Sequence, residues 1–326
     1  MERFVFVAAI VIATIFGIKA LVGDTDYGIR IGDGMGTAEI TSTEAGRLES
    51  QAFAGETIRV RHAVARVVVT PEDRADFLVE IVSPGGVPMP SVTAEEGLVT
   101  IDGHLRGRIS NCREDGTADL DGYEAITPEN LPTITIRAPR ALVMERGGAG
   151  LTEIAAAESV NFDLAGCSSA TIADVAGPLE IDLAGSGRVN TGAAQTLNAD
   201  VAGSGNLSAG AVRERADIDI AGSATVTIAS LTGQFSADAA GSGSVAVQGG
   251  AVSVAEIDVA GSGDVEIAAP VQTLNASIVG SGDISVTNTI GDIDAEIAGS
   301  GSVNAHAVTG RISKEVFGSG DVRVGQ

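Results

Sequence analysis

The sequence predicts an all-β chain: a single-stranded parallel β-helix (solenoid) of about ten rungs of about 19 residues, with Gly-Ser-Gly corners and an N-terminal β cap. Three observations predict it. An Ala-Gly-Ser-Gly-like motif recurs with its first glycine at 148, 166, 185, 203, 222, 241, 261, 280, 299 and 318, in steps of 18 to 20 residues. Between these glycines apolar and polar residues alternate with period two. Glycine is 43 of 326 residues, aromatics are 3 % and tryptophan is absent, which describes a core of small aliphatics and many tight turns.

The period identifies the unit. About 19 residues are too few for a helix pair or a propeller blade, and no 3.6-residue pattern runs long enough for one helix per repeat. Counting back from each first glycine, the second residue is Leu164, Leu183, Val201, Ile220, Ala239, Val259, Ile278, Ile297 or Val316. The fourth includes Phe162, Ile181, Ile218 and Ile257, and the sixth includes Leu179, Leu197, Phe235, Leu274, Ile293 and Ile312. Four residues after the glycine stand Ala170, Val189, Leu207, Val226, Val245, Val265, Ile284, Val303 and Val322. These four columns point inward. A shorter corner segment adds Val175, Val212, Leu231, Val271, Ile290 or Val308. At about 4.8 Å per rung, ten rungs make a rod roughly 45–50 Å long.

The outward columns carry the charge. Three residues before the first glycine stand Glu145, Asp163, Asp182, Asp200, Asp219, Asp238, Asp258, Ser277, Glu296 and Glu315, so an acidic ladder would stack on successive rungs. Two unit charges about 5 Å apart repel by roughly 0.8 kcal/mol in bulk water. One reading is a solvated face that keeps the sheet soluble and blocks lateral stacking. The sharper reading is a weak cation ladder of Asp163, Asp182, Asp200, Asp219, Asp238, Asp258 and Glu296 that takes Ca²⁺, which seeks six to eight oxygens. No other metal or cofactor is expected.

Residues before the repeat divide further. Arg3 precedes an apolar run from Phe4 to Ile18 that Lys19 breaks. Fifteen apolar residues suit a signal peptide better than the roughly 20 of a bilayer span, but no clean small-x-small cleavage site follows. Residues 1–22 are therefore a signal peptide or an N-terminal membrane anchor, with 4–22 holding the chain to the inner membrane in the second case. Residues 23–55 read as a polar linker with room for one strand, 56–146 as an N-terminal β region, and 147–326 as the repeat. Strand-like runs are Thr57–Val60, Val64–Thr70, Phe77–Val82, Leu98–Ile101 and Thr133–Arg137, and Asn111–Asn130 is a long acidic loop. Cys112 and Cys167 are the only cysteines, and their spacing leaves pairing or two free thiols open.

The run Ala75-Asp76-Phe77-Leu78-Val79-Glu80, then Gly97-Leu98-Val99-Thr100-Ile101, then Pro132-Thr133-Ile134-Thr135-Ile136-Arg137-Ala138-Pro139, followed by repeated Gly-Ser-Gly-Asp-Val-like turns, resembles the bacterial head GIN domain family. The resemblance covers about residues 56–326 and implies an exported parallel β-helix named for an auto-transporter adhesin head, with no catalytic residues to carry over. About 270 residues of exported domain leave no room for a membrane barrel, so self-translocation is not expected.

Chemistry is sparse at the sequence level. His62, His104 and His306 lie in no HExxH or triad-like local context, no Gly-Lys-Ser/Thr phosphate loop is present, and the repeat is unbroken by long insertions of the kind that build active sites. A net charge of −23 with no basic block excludes nucleic acid as a partner. The expectation is an exported, non-enzymatic cell-envelope or surface protein. It would sit in the periplasm, on the outer membrane or outside the cell, and bind a glycan or protein through an extended acidic face. Membrane contact would come only through the N-terminal segment. The alternatives are a structural envelope rod without a ligand and a polysaccharide-active enzyme on a β-helix. A cation ladder would raise the melting temperature in millimolar calcium; identical melting in calcium and EDTA leaves only the solvated face.

Overall fold

The computed structural model describes residues 44–325, apart from 108, 112, 114 and 123–125. The signal or anchor segment 1–22 and the linker residues up to 43 lie outside the described residues. The chain is all-β, 74 % strand, and winds as stacked parallel coils of about 19 residues into a β-solenoid of about ten turns. No described helix is long and apolar enough to cross a membrane. The chain forms two compact units, one of residues 44–175 with Ser186–Val189, the other of Ala176–Gly185 and Asn190 onward.

In the first unit the spine is the strand Thr57–Glu72. It pairs in parallel with Leu98–Asp102, with Thr133–Pro139 and with Ala141–Ile154. Coil stacking thus begins well before the first glycine motif. Antiparallel strands complete the cap: Gly46–Ala54 on Asp76–Ser83, Asp76–Ser83 on Thr133–Pro139, and Ser91–Glu95 on Leu98–Asp102. The segment expected as an acidic loop supplies a satellite core. Its Ala118, Leu120 and Ile126 pack with the flanking Leu105 and Leu131 and with Val64, Val87 and Ala149, and Cys167 lies against them. Cys167 is disulfide-bonded; the only other cysteine, Cys112, lies outside the described residues.

One inward position breaks the aliphatic pattern. Arg146 stands two residues before Gly148, where later coils carry Leu, Val, Ile or Ala, and it is fully buried. Its guanidinium donates to the carbonyl oxygens of Ala63, Ala65, Gly147 and Ala149. Burial pushes its pKa down to about 10, which leaves it charged at neutral pH. Carbonyl dipoles, rather than a carboxylate, therefore solvate this cation.

In the second unit each strand pairs with the next at a spacing of one coil, so like positions stack. Leu183 lies beside Val201, Val201 beside Ile220, Ile220 beside Ala239, Ala239 beside Val259, Val259 beside Ile278, and Ile278 beside Ile297. The inward columns are buried, as predicted, except in the last coil, where Ile312 is exposed and Val308 and Val316 are half-buried. No described strand stacks on that coil. Lys314, in an inward column, reaches across to Asp321 at 2.7 Å and places an ion pair over the end of the core.

The glycine corner has a steric cause. Gly203 adopts φ +116°, and a Cβ there would lie 2.5 Å from the Gly185 carbonyl oxygen. That same oxygen accepts a hydrogen bond from the Ser204 amide at 2.9 Å. Gly222→Ala combines a disallowed φ with a backbone clash and should cost about 2–3 kcal/mol. A urea titration reads this as a lower midpoint; an unchanged midpoint would show that the corner yields to a side chain.

Candidate functional site

In the second unit the acidic residues picked out in the sequence stand in one line that only Ser277 interrupts. Parallel registers set Asp182 beside Asp200, Asp200 beside Asp219, Asp219 beside Asp238 and Asp238 beside Asp258. Asp258 then neighbours Ser277, Ser277 neighbours Glu296, and Glu296 neighbours Glu315. In the first unit Asp163 stands beside Glu145, whose carboxylate is held by Arg59 at 2.5 Å. All seven candidates are half-buried rather than fully solvated, because each is covered by its neighbours one coil away. Among the described residues no group of three or more His, Cys, Asp or Glu converges so as to hold a metal ion.

Half-burial changes the chemistry of the column. Burial, then the charge of Asp238, pushes Asp219 up to about 7. Burial and the charge of Asp238 likewise push Asp258 to about 6, and burial raises Asp238 between them. Hydrogen bonds link Asp200 to Asp219, Asp219 to Asp238 and Asp238 to Asp258. Two carboxyl groups can bond in this way only with a proton between them. Asp219, Asp238 and Asp258 therefore form a stretch of the column where a proton held between carboxyls relieves their repulsion.

The first unit holds a polar cluster that sequence reasoning missed. Asp102 accepts from Arg61 Nε at 3.0 Å, from His62 Nδ1 at 3.2 Å and from the His104 backbone amide at 2.8 Å. His104 Nε2 lies 2.8 Å from Ser91 Oγ, and its Nδ1 lies 3.7 Å from Asp102 Oδ1. Burial alone would push Asp102 up, but the His104 amide, His62 and Arg61 together hold it below the usual carboxylate range. Two of the chain's three histidines thus flank one carboxylate. The only sequence signal was their closeness to Asp102 after strand pairing, which no local motif records.

Comparison with known families decides the chain's kinship. The profile described as "Putative auto-transporter adhesin, head GIN domain" matches residues 125–251 and 175–290, together just over half of the chain. The chain belongs to the head GIN domain family. No curated protein matches it. Among solved structures, this head GIN chain is similar to a putative adhesin from Parabacteroides merdae, with 14 % identity, TM-score 0.41, and coverage of 87 % of this chain and 97 % of that one. It is also similar to a protein described as a putative lipid binding protein from Parabacteroides distasonis, with 20 % identity, TM-score 0.48, and coverage of 87 % and 98 %. A putative adhesin from the same organism shows 15 % identity, TM-score 0.41, and coverage of 87 % and 99 %.

The ladder gives this head GIN domain an unusual pH response. Asp219 and Asp258 titrate near 7 and 6 when folded but near 3.8 when unfolded, so the folded chain binds more protons between about pH 4 and 7. Stability therefore falls as pH rises through that window and returns on acidification. Carboxylates with lowered values, such as Asp102 and Asp321, lose stability only as pH falls below about 4. Melting at pH 5 should exceed melting at pH 8 by several degrees, and Asp219→Asn with Asp258→Asn should raise the pH 8 value and flatten the difference. Melting that is independent of pH from 5 to 8 in the unaltered chain would remove the proton-sharing stretch.

Proposed function

We propose that the chain is an exported binding module of the cell envelope, attached to a glycan or protein partner through the outward face of its repeat coils, a face that binds without catalysis. The observation that carries this reading is the uniformity of that face. From Glu145 to Glu296, Ser277 apart, one coil after another presents a half-buried acid three residues before the glycine, and Glu180, Asn198, Asp217, Ser236, Glu256 and Asn275 two residues earlier alternate acidic and neutral side chains. A periodic row of acceptors at about 4.8 Å fits a repetitive ligand better than a single small molecule. Sugar hydroxyls and basic peptide side chains both donate to such acceptors. The adhesin description of the family supports attachment as the role. Residues 4–22 would carry the chain out of the cytoplasm, as a cleaved signal or a retained anchor.

The test is binding of the purified full chain to a glycan panel and to intact cells. The triple variant Glu180→Gln, Asp217→Asn and Glu256→Gln changes only outward residues, and a cooperative melt should show that it stays folded. It should weaken binding at least about tenfold, as expected for lost charge-assisted hydrogen bonds. Binding that is absent, or unaltered in the triple variant, would favour a structural rod; turnover of a glycan would favour an enzyme.

A further inference from the structure

We propose that Ser91, His104 and Asp102 form a serine acyl-transfer site, with Ser91 as nucleophile, His104 as general base and Asp102 as the residue that positions His104. The hairpin brings them together. Ser91–Glu95 pairs antiparallel with Leu98–Asp102 so that Ser91 is directly opposite Asp102. Beyond Asp102 the chain reverses through Gly103 and His104. The His104 amide closes onto the Asp102 carboxylate at 2.8 Å, and Gly103 is pressed so closely on His62 and Ala63 that a Cβ would collide with their backbone. This turn swings the His104 ring back over the hairpin, with Nε2 2.8 Å from Ser91 Oγ and Nδ1 3.7 Å from Asp102 Oδ1.

The electrostatics select the tautomer a general base needs. Asp102 is an anion fixed by Arg61, His62 and the His104 amide. A neutral imidazole beside an anion places its proton on the near nitrogen, here Nδ1. Nε2 is then left with a lone pair facing the Ser91 hydroxyl, which donates to it. The 3.7 Å gap to Asp102 is of the kind that tightens once the ring takes a proton. The backbone adds a second observation. His62 and His104 adopt φ of +49° and +56°, left-handed values for non-glycine residues, and both lie against the same carboxylate. Left-handed backbone strains a residue that carries a side chain, and strain of this kind collects at functional sites. Ser91 itself is exposed, so an acyl donor can reach it.

The step balances without a redox partner. Ser91 Oγ attacks the carbonyl carbon of an ester while its proton passes to His104 Nε2. The carbon–oxygen bond to the alcohol breaks, the alcohol leaves with that proton, and the acyl group stays on Ser91. Water, deprotonated by His104 in turn, releases the carboxylate and restores the serine. The substrate class is a small, exposed ester. This adds an acyl-transfer step to a chain otherwise read as a binding module, and it rests on none of the acidic-face residues.

The experiment exposes the full chain to a biotinylated fluorophosphonate, which phosphonylates an activated serine and releases fluoride. The adduct should map to Ser91 by peptide mass, vanish in Ser91→Ala and form at least about tenfold more slowly in His104→Gln, since general-base catalysis contributes about 10²–10⁴-fold. His306→Gln should label normally. Asp102→Asn should slow labelling and Asp102→Glu, which keeps the anion, should restore it in part; a merely structural role would leave the two folded variants labelling alike. Slow hydrolysis of p-nitrophenyl acetate should follow the same order of variants. Melting curves establish that each variant is folded. No adduct on Ser91, or an adduct that forms as fast in folded His104→Gln, would overturn the proposal and leave a hydrogen-bonded turn.

Discussion

The rest of the structure depends on one backbone contact, the stacking of glycine corners. The Gly203 carbonyl accepts from the Ser223 amide, the Gly222 carbonyl from the Ser242 amide and the Gly241 carbonyl from the Ser262 amide, each at 2.8 Å. The oxygen that receives each bond occupies the space a Cβ on the next corner residue would need, as at Gly203 above Gly185. The hydrogen bond and the steric exclusion are therefore the same requirement. Once the corners are superposed, every residue counted from them is superposed as well. That alignment makes the aliphatic columns a continuous core and sets the outward carboxyls one above another. Core and face are two consequences of one register.

Coil length varies, so the slack must go elsewhere. The step from Gly185 to Gly203 is 18 residues and the next is 19, and the ladder absorbs the difference by a register shift between Ala194 and Thr196. The 20-residue step from Gly241 to Gly261 is absorbed between Gly233 and Gln234. The residue left over there is Ser253, whose hydroxyl donates to the Gly233 carbonyl at 2.9 Å and so satisfies an acceptor the bulge would strand. Both irregularities fall before the conserved-register stretch that leads into the corner. Bulges are cheap where side chains can adjust, whereas a slip at a glycine would put a side chain into a carbonyl.

This explains which features were legible in the sequence. Columns such as Val201, Ile220 and Val259 repeat because one constraint repeats, and counting from the glycines recovers them. Features that arise once leave no period to count. Arg146 occupies an aliphatic position where carbonyls of two adjacent strands, those of Ala63, Ala65, Gly147 and Ala149, accept from its guanidinium. The Ser91, Asp102 and His104 cluster exists because a hairpin and a left-handed turn fold back on one another. The satellite core around Leu105 and Leu120 was hidden for a similar reason, since its apolar residues are spread thinly through an acidic, glycine-bearing segment. The carboxyl column itself was legible, but its half-burial was not: burial there comes from the neighbouring coils, not from any residue nearby in the chain.

The ladder is the place where the fold carries a cost its geometry does not require. Ser277 occupies the same register between Asp258 and Glu296 and donates a hydrogen bond to Asp258, so a neutral hydroxyl fits the position. Arg59 shows a second solution, neutralising Glu145 directly. Yet Asp200, Asp219, Asp238 and Asp258 follow one another without a break, only Asp258 has a hydroxyl beside it, and burial raises Asp219, Asp238 and Asp258. A surface that needed only to be polar and soluble would gain stability from alternating Asp with Ser or Asn, as the column two residues earlier does with Asn198 and Ser236. Local choices that oppose stability while a compatible alternative stands in the same row mark positions held for something other than folding. That is the physical reason to look for the partner along these four coils rather than along the rest of the outward surface.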